Sequence, residues 1–107
     1  MRVVILNGPN LNALGKREIE IYGQDSMEQI ILAIQREHMN LHIEYHQSNH
    51  EGAIVDAIQE SYGNTDGIVI NPAAYTHTSV AILDALKAVH DADAAEIADL
   101  KSALTTV

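Results

Sequence analysis

Two short aliphatic runs constrain this chain more than any other feature. Val3-Val4-Ile5-Leu6 and Gly67-Ile68-Val69-Ile70 are too short for helices and too uniformly apolar for surface strands. Each therefore reads as a strand buried on both faces of a parallel sheet, the first over about residues 2–6. Both stop at a proline turn, Asn7-Gly8-Pro9-Asn10 after the first and Asn71-Pro72 after the second. Proline has no N–H for a ladder, and Gly8 permits a sharp turn. Between them, residues 41–47 (L-H-I-E-Y-H-Q) alternate apolar and polar, the period of a half-exposed strand.

Helical signals fill the gaps. Ser26 and Gln29 have the spacing of a capping box, and Met27, Ile30, Ile31 and Ile34 mark one face of a helix to about His38. Ser48 and Glu51 offer a second box, ahead of Ile54, Val55 and Ile58 in a helix to about Tyr62 that Gly63-Asn64 closes. Thr76 or Thr78 is expected to cap a third, with Val80, Leu83, Leu86 and Val89 facing inward. The order β-α-β-α-β-α predicts a parallel sheet with helices on both faces and right-handed crossovers. Ligands of such open sheets lie outside the carboxyl ends of the strands. The polar loops 7–12, 47–51 and 71–78 all follow strands, so they converge on one edge. Residues 90–107 differ: alanine-rich, with a narrow helical stripe of Ile97, Leu100 and Leu104 and no fourth strand. The third strand's outer edge is then expected to be covered by this tail or by another copy of the chain.

At 107 residues the chain reads as a single domain, 1–107. It holds no Phe, Trp or Cys, so its core is aliphatic, with no disulfide framework, thiolate metal site or thiol nucleophile. Cytoplasmic residence is the default expectation. No apolar run approaches the ~20 residues of a membrane span. The net charge of −9, from six basic and fifteen acidic residues, argues against nucleic acid. An anionic small molecule would need local donors such as backbone N–H groups to overcome that field.

The stretch 7–22 has the composition of a pocket loop for an oxygen-rich small molecule, although a plain surface loop fits it too. Tyr22 is a base only if a cation stabilises its phenolate, and Arg17 on the same stretch can supply one. The same residues also read as an anchoring aromatic and a solvated charge. Asn10, inside the turn, suits a hydroxyl or a water that donates to a developing enolate oxygen. Asn7 and Asn12 fit ordinary turn chemistry equally well. His77 precedes the third helix, where unsatisfied N–H groups favour an anion. Asp84 can pair with Arg17, with a neighbouring subunit or with solvent. His42, Glu44 and His46 share a strand face, but same-face positions ~6–7 Å apart suit a solvated edge better than one metal. Dinucleotide, Walker, serine-hydrolase and zinc-protease motifs are all missing from the sequence.

Four motifs then match in order: N-G-P-N-L-N at 7–12, R-E-I-E-I-Y-G at 17–23, Q-S-N-H-E-G at 47–52 and N-P-A-A-Y-T-H-T-S at 71–79. Together they closely resemble type II 3-dehydroquinate dehydratase (type II dehydroquinase), over residues 1 to about 89. The resemblance implies a flavodoxin-like α/β sheet and a homododecamer built from trimers. It implies cofactor-free dehydration of 3-dehydroquinate to 3-dehydroshikimate in the shikimate pathway. By position, Tyr22 would abstract the proton beside the ketone, with Arg17 holding it as phenolate. Asn10 would position the water that stabilises the enolate, Asn71 and His77 would grip substrate hydroxyls, and Asp84 would reach an adjacent subunit's site. Residues 16–25 would form a lid.

The sequence departs from that pattern in places. Ile19 replaces a usual proline, which would loosen the lid. Ala73 replaces a usual glycine in a turn whose backbone approaches the ligand. After Val89 the family's strand with Glu-Val-His and Ser-Asn, and the Arg-rich segment beyond, are not recognisable, and His90 in A-V-H-D-A-D does not match the general acid. The pattern is of a dehydroquinase whose sheet is truncated after the third β-α unit. The alternative expectation is a non-catalytic flavodoxin-like remnant that binds a small ligand or a partner chain.

Overall fold

The computed structural model describes residues 1–13, 26–92 and 105–106. Strands β1 (Arg2–Asn7), β2 (His42–Gln47), β3 (Gly67–Asn71) and the two-residue β4 (Thr105–Thr106) alternate with helices α1 (Met27–Glu37), α2 (Glu51–Glu60) and α3 (Val80–Ala92). Short 3-10 turns, Leu11–Ala13 and Ala73–His77, follow β1 and β3. The sheet is parallel throughout, in the order β2-β1-β3-β4. This is the flavodoxin-like order, with its reversal between β1 and β3.

The two-residue period of a strand explains where the core lies. Val4, Leu6, Ile68 and Ile70 project to one face and are buried there. Ile54 and Ile58 of α2, and Ile82, Ala85 and Val89 of α3, close over them in one cluster. Each large aliphatic side chain so buried contributes about 1.5–3 kcal/mol. The opposite face is thinner: Val3, Ile5 and Val69 are half-buried, and α1 lies against β2 beside Tyr45 and Gln47.

Local signals decide several boundaries. The Ser26 capping box is formed in full, with Ser26 Oγ accepting from Gln29 N and Gln29 Oε1 accepting from Ser26 N at 2.8 Å. The face expected of α1 is only partly covered: none of its residues is buried, and Ile30 is 37% exposed. The second capping box does not form. Ser48 Oγ accepts from His50 N at 3.0 Å, a local turn that competes with the helix, and α2 begins after His50. Gly63, at φ 76, and Asn64, whose Nδ2 donates to the Glu60 carbonyl at 3.0 Å, close the end of α2 as expected.

In α3 neither threonine is the cap. Ser79 Oγ accepts from Ile82 N at 3.0 Å, and Thr76 lies in the preceding 3-10 turn. Starting there rotates the buried stripe to Ile82, Ala85, Leu86 and Val89, leaving Val80 76% and Leu83 52% exposed. The expectation that the tail adds no strand is also corrected. Thr105 and Thr106 pair with Val69 and Ile70, so the tail covers part of the outer edge of β3. Its helical stripe at Ile97, Leu100 and Leu104 lies outside the described residues.

Candidate functional site

Register brings three amide side chains to the same edge. Asn7 pairs with Gln47 on one side and Asn71 on the other, so the carboxyl ends of β2, β1 and β3 stand abreast. The loops leaving them are tied closely. Gly8 N donates to the Asn71 carbonyl at 2.7 Å, and Ser48 N to the Asn7 carbonyl at 3.0 Å. A Cβ on Gly8 would sit 2.4 Å from the Pro72 carbonyl oxygen, so only glycine fits this approach.

The loops use two unusual backbone conformations. Asn10 has φ 69 and Ala73 has φ 53, both left-handed. Asparagine tolerates that region better than most residues, whereas alanine carries a Cβ penalty. Asn71 Oδ1 accepts from Ala73 N at 3.0 Å and so supports the Ala73 turn. That contact engages the oxygen of the Asn71 amide.

Asn10 is exposed at the rim, and Asn71 and Ala73 beside it are half-buried. His77 is exposed at the end of its 3-10 turn, and Asp84 is exposed on α3. The structure thus joins Asn10, Asn71 and Ala73 through hydrogen-bonded loops. His77 and Asp84 are outside that network among the described residues. Arg17, Tyr22, Ile19 and the expected lid 16–25 lie outside the described residues.

A cavity of about 100 Å³ opens at this rim on the α1 side, lined by Leu11, Asn12, Met27, Glu28, Tyr45 and Gln47. Asn7, buried at the strand end, directs its Nδ2 toward Tyr45 Oη at 3.5 Å. Burial raises the Tyr45 pKa, opposed by that contact from Asn7. Tyr45 consequently keeps its proton more firmly than a free phenol and is a poor base. Tyr75 is committed too: its hydroxyl donates to the Asn49 carbonyl at 2.9 Å.

Sequence reasoning grouped residues 47–51 with the site but gave no role to Gln47, Asn49 or Tyr75. Gln47 Nε2 donates to the Gly8 carbonyl at 3.1 Å and to Asn49 Oδ1 at 3.2 Å, and Asn10 N donates to the same Asn49 oxygen at 3.1 Å. The usable signal was a polar motif leaving β2 level with the Asn-Gly-Pro-Asn turn leaving β1.

On the polar face of β2, Glu44 accepts from Arg2 at 2.6 Å and meets His46 Nε2 at 3.1 Å. The hydrogen bond from Arg2, and then the one from His46, lower the Glu44 pKa. β2 is an edge strand, as its alternation suggested. Among the described residues, no helix is long and apolar enough to cross a membrane.

Comparison with known proteins converges on one family. The family model described as "Dehydroquinase class II" matches residues 1–98. A protein named "Catabolic 3-dehydroquinase" from Aspergillus clavatus is 57% identical over 90 residues, covering 82% of this chain and 60% of that protein. One named "3-dehydroquinate dehydratase" from Aliarcobacter butzleri is 54% identical over 92 residues, covering 84% of this chain and 56% of its own length. The chain thus spans about three fifths of the curated relatives it matches. A crystal structure of type II dehydroquinase from Butyrivibrio crossotus superposes with a TM-score of 0.75 at 50% identity, covering 94% of this chain and 66% of that one. The corresponding enzyme from Propionibacterium acnes gives 0.70 at 34% identity, covering 78% and 59%. With its sheet order, its rim of amide side chains and these matches in agreement, the chain belongs to the class II dehydroquinase family.

Proposed function

We propose that this chain carries 3-dehydroquinate dehydratase chemistry: loss of water from 3-dehydroquinate to give 3-dehydroshikimate, through an enolate formed by a tyrosine base. The observation that carries the reading is the rim itself, where Asn7, Asn71 and Gln47 end adjacent strands and Asn10 projects from a left-handed turn. Neutral amides there donate to hydroxyl and enolate oxygens without adding to the charge of an acidic protein. The chain has four tyrosines. Burial keeps Tyr45 protonated, Tyr75 holds a backbone carbonyl, and Tyr62 follows α2 at the far end of the sheet. Tyr22 remains, with Arg17 as the cation that favours its phenolate.

In this mechanism the Tyr22 phenolate takes the proton beside the ketone. Asn10 holds the water that donates to the enolate oxygen, and collapse of the enolate expels the hydroxyl group, which leaves as water on taking a proton from solvent. Asn71 and His77 bind substrate hydroxyls, the Ala73 turn carries the backbone close to the substrate, and Asp84 serves a neighbouring copy. No residue of the 107 is assigned to protonate the departing hydroxyl. A general acid is worth roughly 10²–10⁴ in rate, so turnover depends on what protonates the leaving hydroxyl. The same reading places the protein in the shikimate pathway of the cytoplasm, as a trimer-based dodecamer. The exposed Val80 and Leu83 on α3 support such self-association.

The test follows the conjugated enone by ultraviolet absorbance after 3-dehydroquinate is added to the purified chain. Turnover that disappears in Tyr22→Phe supports the mechanism, and turnover unchanged in that variant refutes the base. Binding without turnover would leave a ligand-binding relative of the enzyme.

A further inference from the structure

Asn49 is the point where the three rim loops meet. Its Oδ1 accepts from Asn10 N at 3.1 Å and from Gln47 Nε2 at 3.2 Å, and its carbonyl accepts from Tyr75 Oη at 2.9 Å. Tyr75 packs against the core cluster, so the carbonyl side of Asn49 is anchored to the buried part of the molecule. Gln47 is likewise fixed, since its Nε2 also donates to the Gly8 carbonyl at 3.1 Å. Two rigid neighbours therefore hold one exposed asparagine, and its oxygen faces the N–H of Asn10.

That N–H belongs to a residue at φ 69, a conformation a non-glycine residue adopts only when its surroundings select it. Within its own loop, Asn10 offers its carbonyl to Ala13 N at 3.1 Å, which closes the 3-10 turn but leaves the N–H unused. The acceptor comes from the loop that follows β2, not from the turn.

We propose that Asn49, aligned by Gln47, is a positioning residue that locks the Asn10 backbone in its left-handed form and so aims the Asn10 side chain at the ligand. The proposal rests on the dehydratase reading for what Asn10 does there. A neutral acceptor suits the position, because a carboxylate would bring negative charge toward an anionic substrate in a chain already at −9.

The experiment compares the full 107-residue chain with N49A and N49D. The Asn10 amide is followed by ¹H–¹⁵N spectra and hydrogen exchange, and kcat and KM are measured for 3-dehydroquinate. In N49A the Asn10 amide should move upfield and exchange about five-fold faster, the size of one lost hydrogen bond. Its kcat should fall roughly 10- to 100-fold, with KM affected less. N49D keeps the acceptor, so it should restore the amide signature and kcat while raising KM through its charge. An unmoved Asn10 amide in N49A overturns the proposal, and so does an equal loss of kcat in both variants. If the unaltered chain shows no turnover, the proposed function fails, while the amide measurements still decide whether Asn49 holds Asn10.

Discussion

Replacing Gly8 by alanine tests whether the rim depends on backbone contact between its loops. The added methyl would lie 2.4 Å from the Pro72 oxygen and 2.6 Å from its carbonyl carbon, both main-chain atoms that no rotamer change can move. Ordinary contact begins near 3.4 Å, so the loops after β1 and β3 must part by about an ångström. The 2.7 Å bond from Gly8 N to the Asn71 carbonyl would then pass beyond hydrogen-bonding range. Overpacking costs about 1–3 kcal/mol, and the lost bond adds about 1 kcal/mol. At about 4–8 °C per kcal/mol for a domain of this size, the midpoint of thermal unfolding should fall by about 8–30 °C. Circular dichroism melting of the two proteins measures this directly. A midpoint within about 2 °C of the parent would show that the two loops yield freely, and the account of a tightly clamped rim would be wrong.

Ala73→Gly should do the opposite. Removing the Cβ at φ 53 relieves about 1–2 kcal/mol of left-handed strain, against about 0.5–1 kcal/mol of added chain entropy. The variant should unfold at a higher urea concentration, and a lower midpoint refutes the strain. Arg2→Met should raise the titration of the Glu44 carboxyl toward the ordinary glutamate range, read by carbon-13 NMR, because the bond from Arg2 is the main cause of its depression. The sign follows: a depressed folded pKa gives stability that is present above the unfolded value and fades as pH falls through the folded one. The variant should therefore lose less stability between neutral and acid pH than its parent, and an unmoved Glu44 titration would contradict this.

Features set by neighbours in sequence were legible, and those set by distant partners were not. The Ser26–Gln29 capping box depends on spacing alone, and it forms as read. Proline turns ended β1 and β3 because a missing N–H is a local fact. The α3 stripe misled because the helix carries two candidate faces, and the choice fell to Ser79 bonding Ile82 N. Two threonines near the end of the chain gave no strand signal, since their pairing depends on the exposed edge of β3. In the site, Asn10 and Asn71 were visible as polar residues in turns. The part played by Asn49 arises only once three strands are in register, and no spacing along the chain encodes that.

The charged face of β2 has a consequence beyond its hydrogen bonds. An edge strand offers unpaired backbone groups to any extended segment that drifts alongside. Copies of β2 stacked in register would set Glu44 against Glu44 at about 4.8 Å intervals, and the repulsion would accumulate along the growing fibre. The carboxylate that pairs with Arg2 in a single molecule thus discourages its endless self-templating.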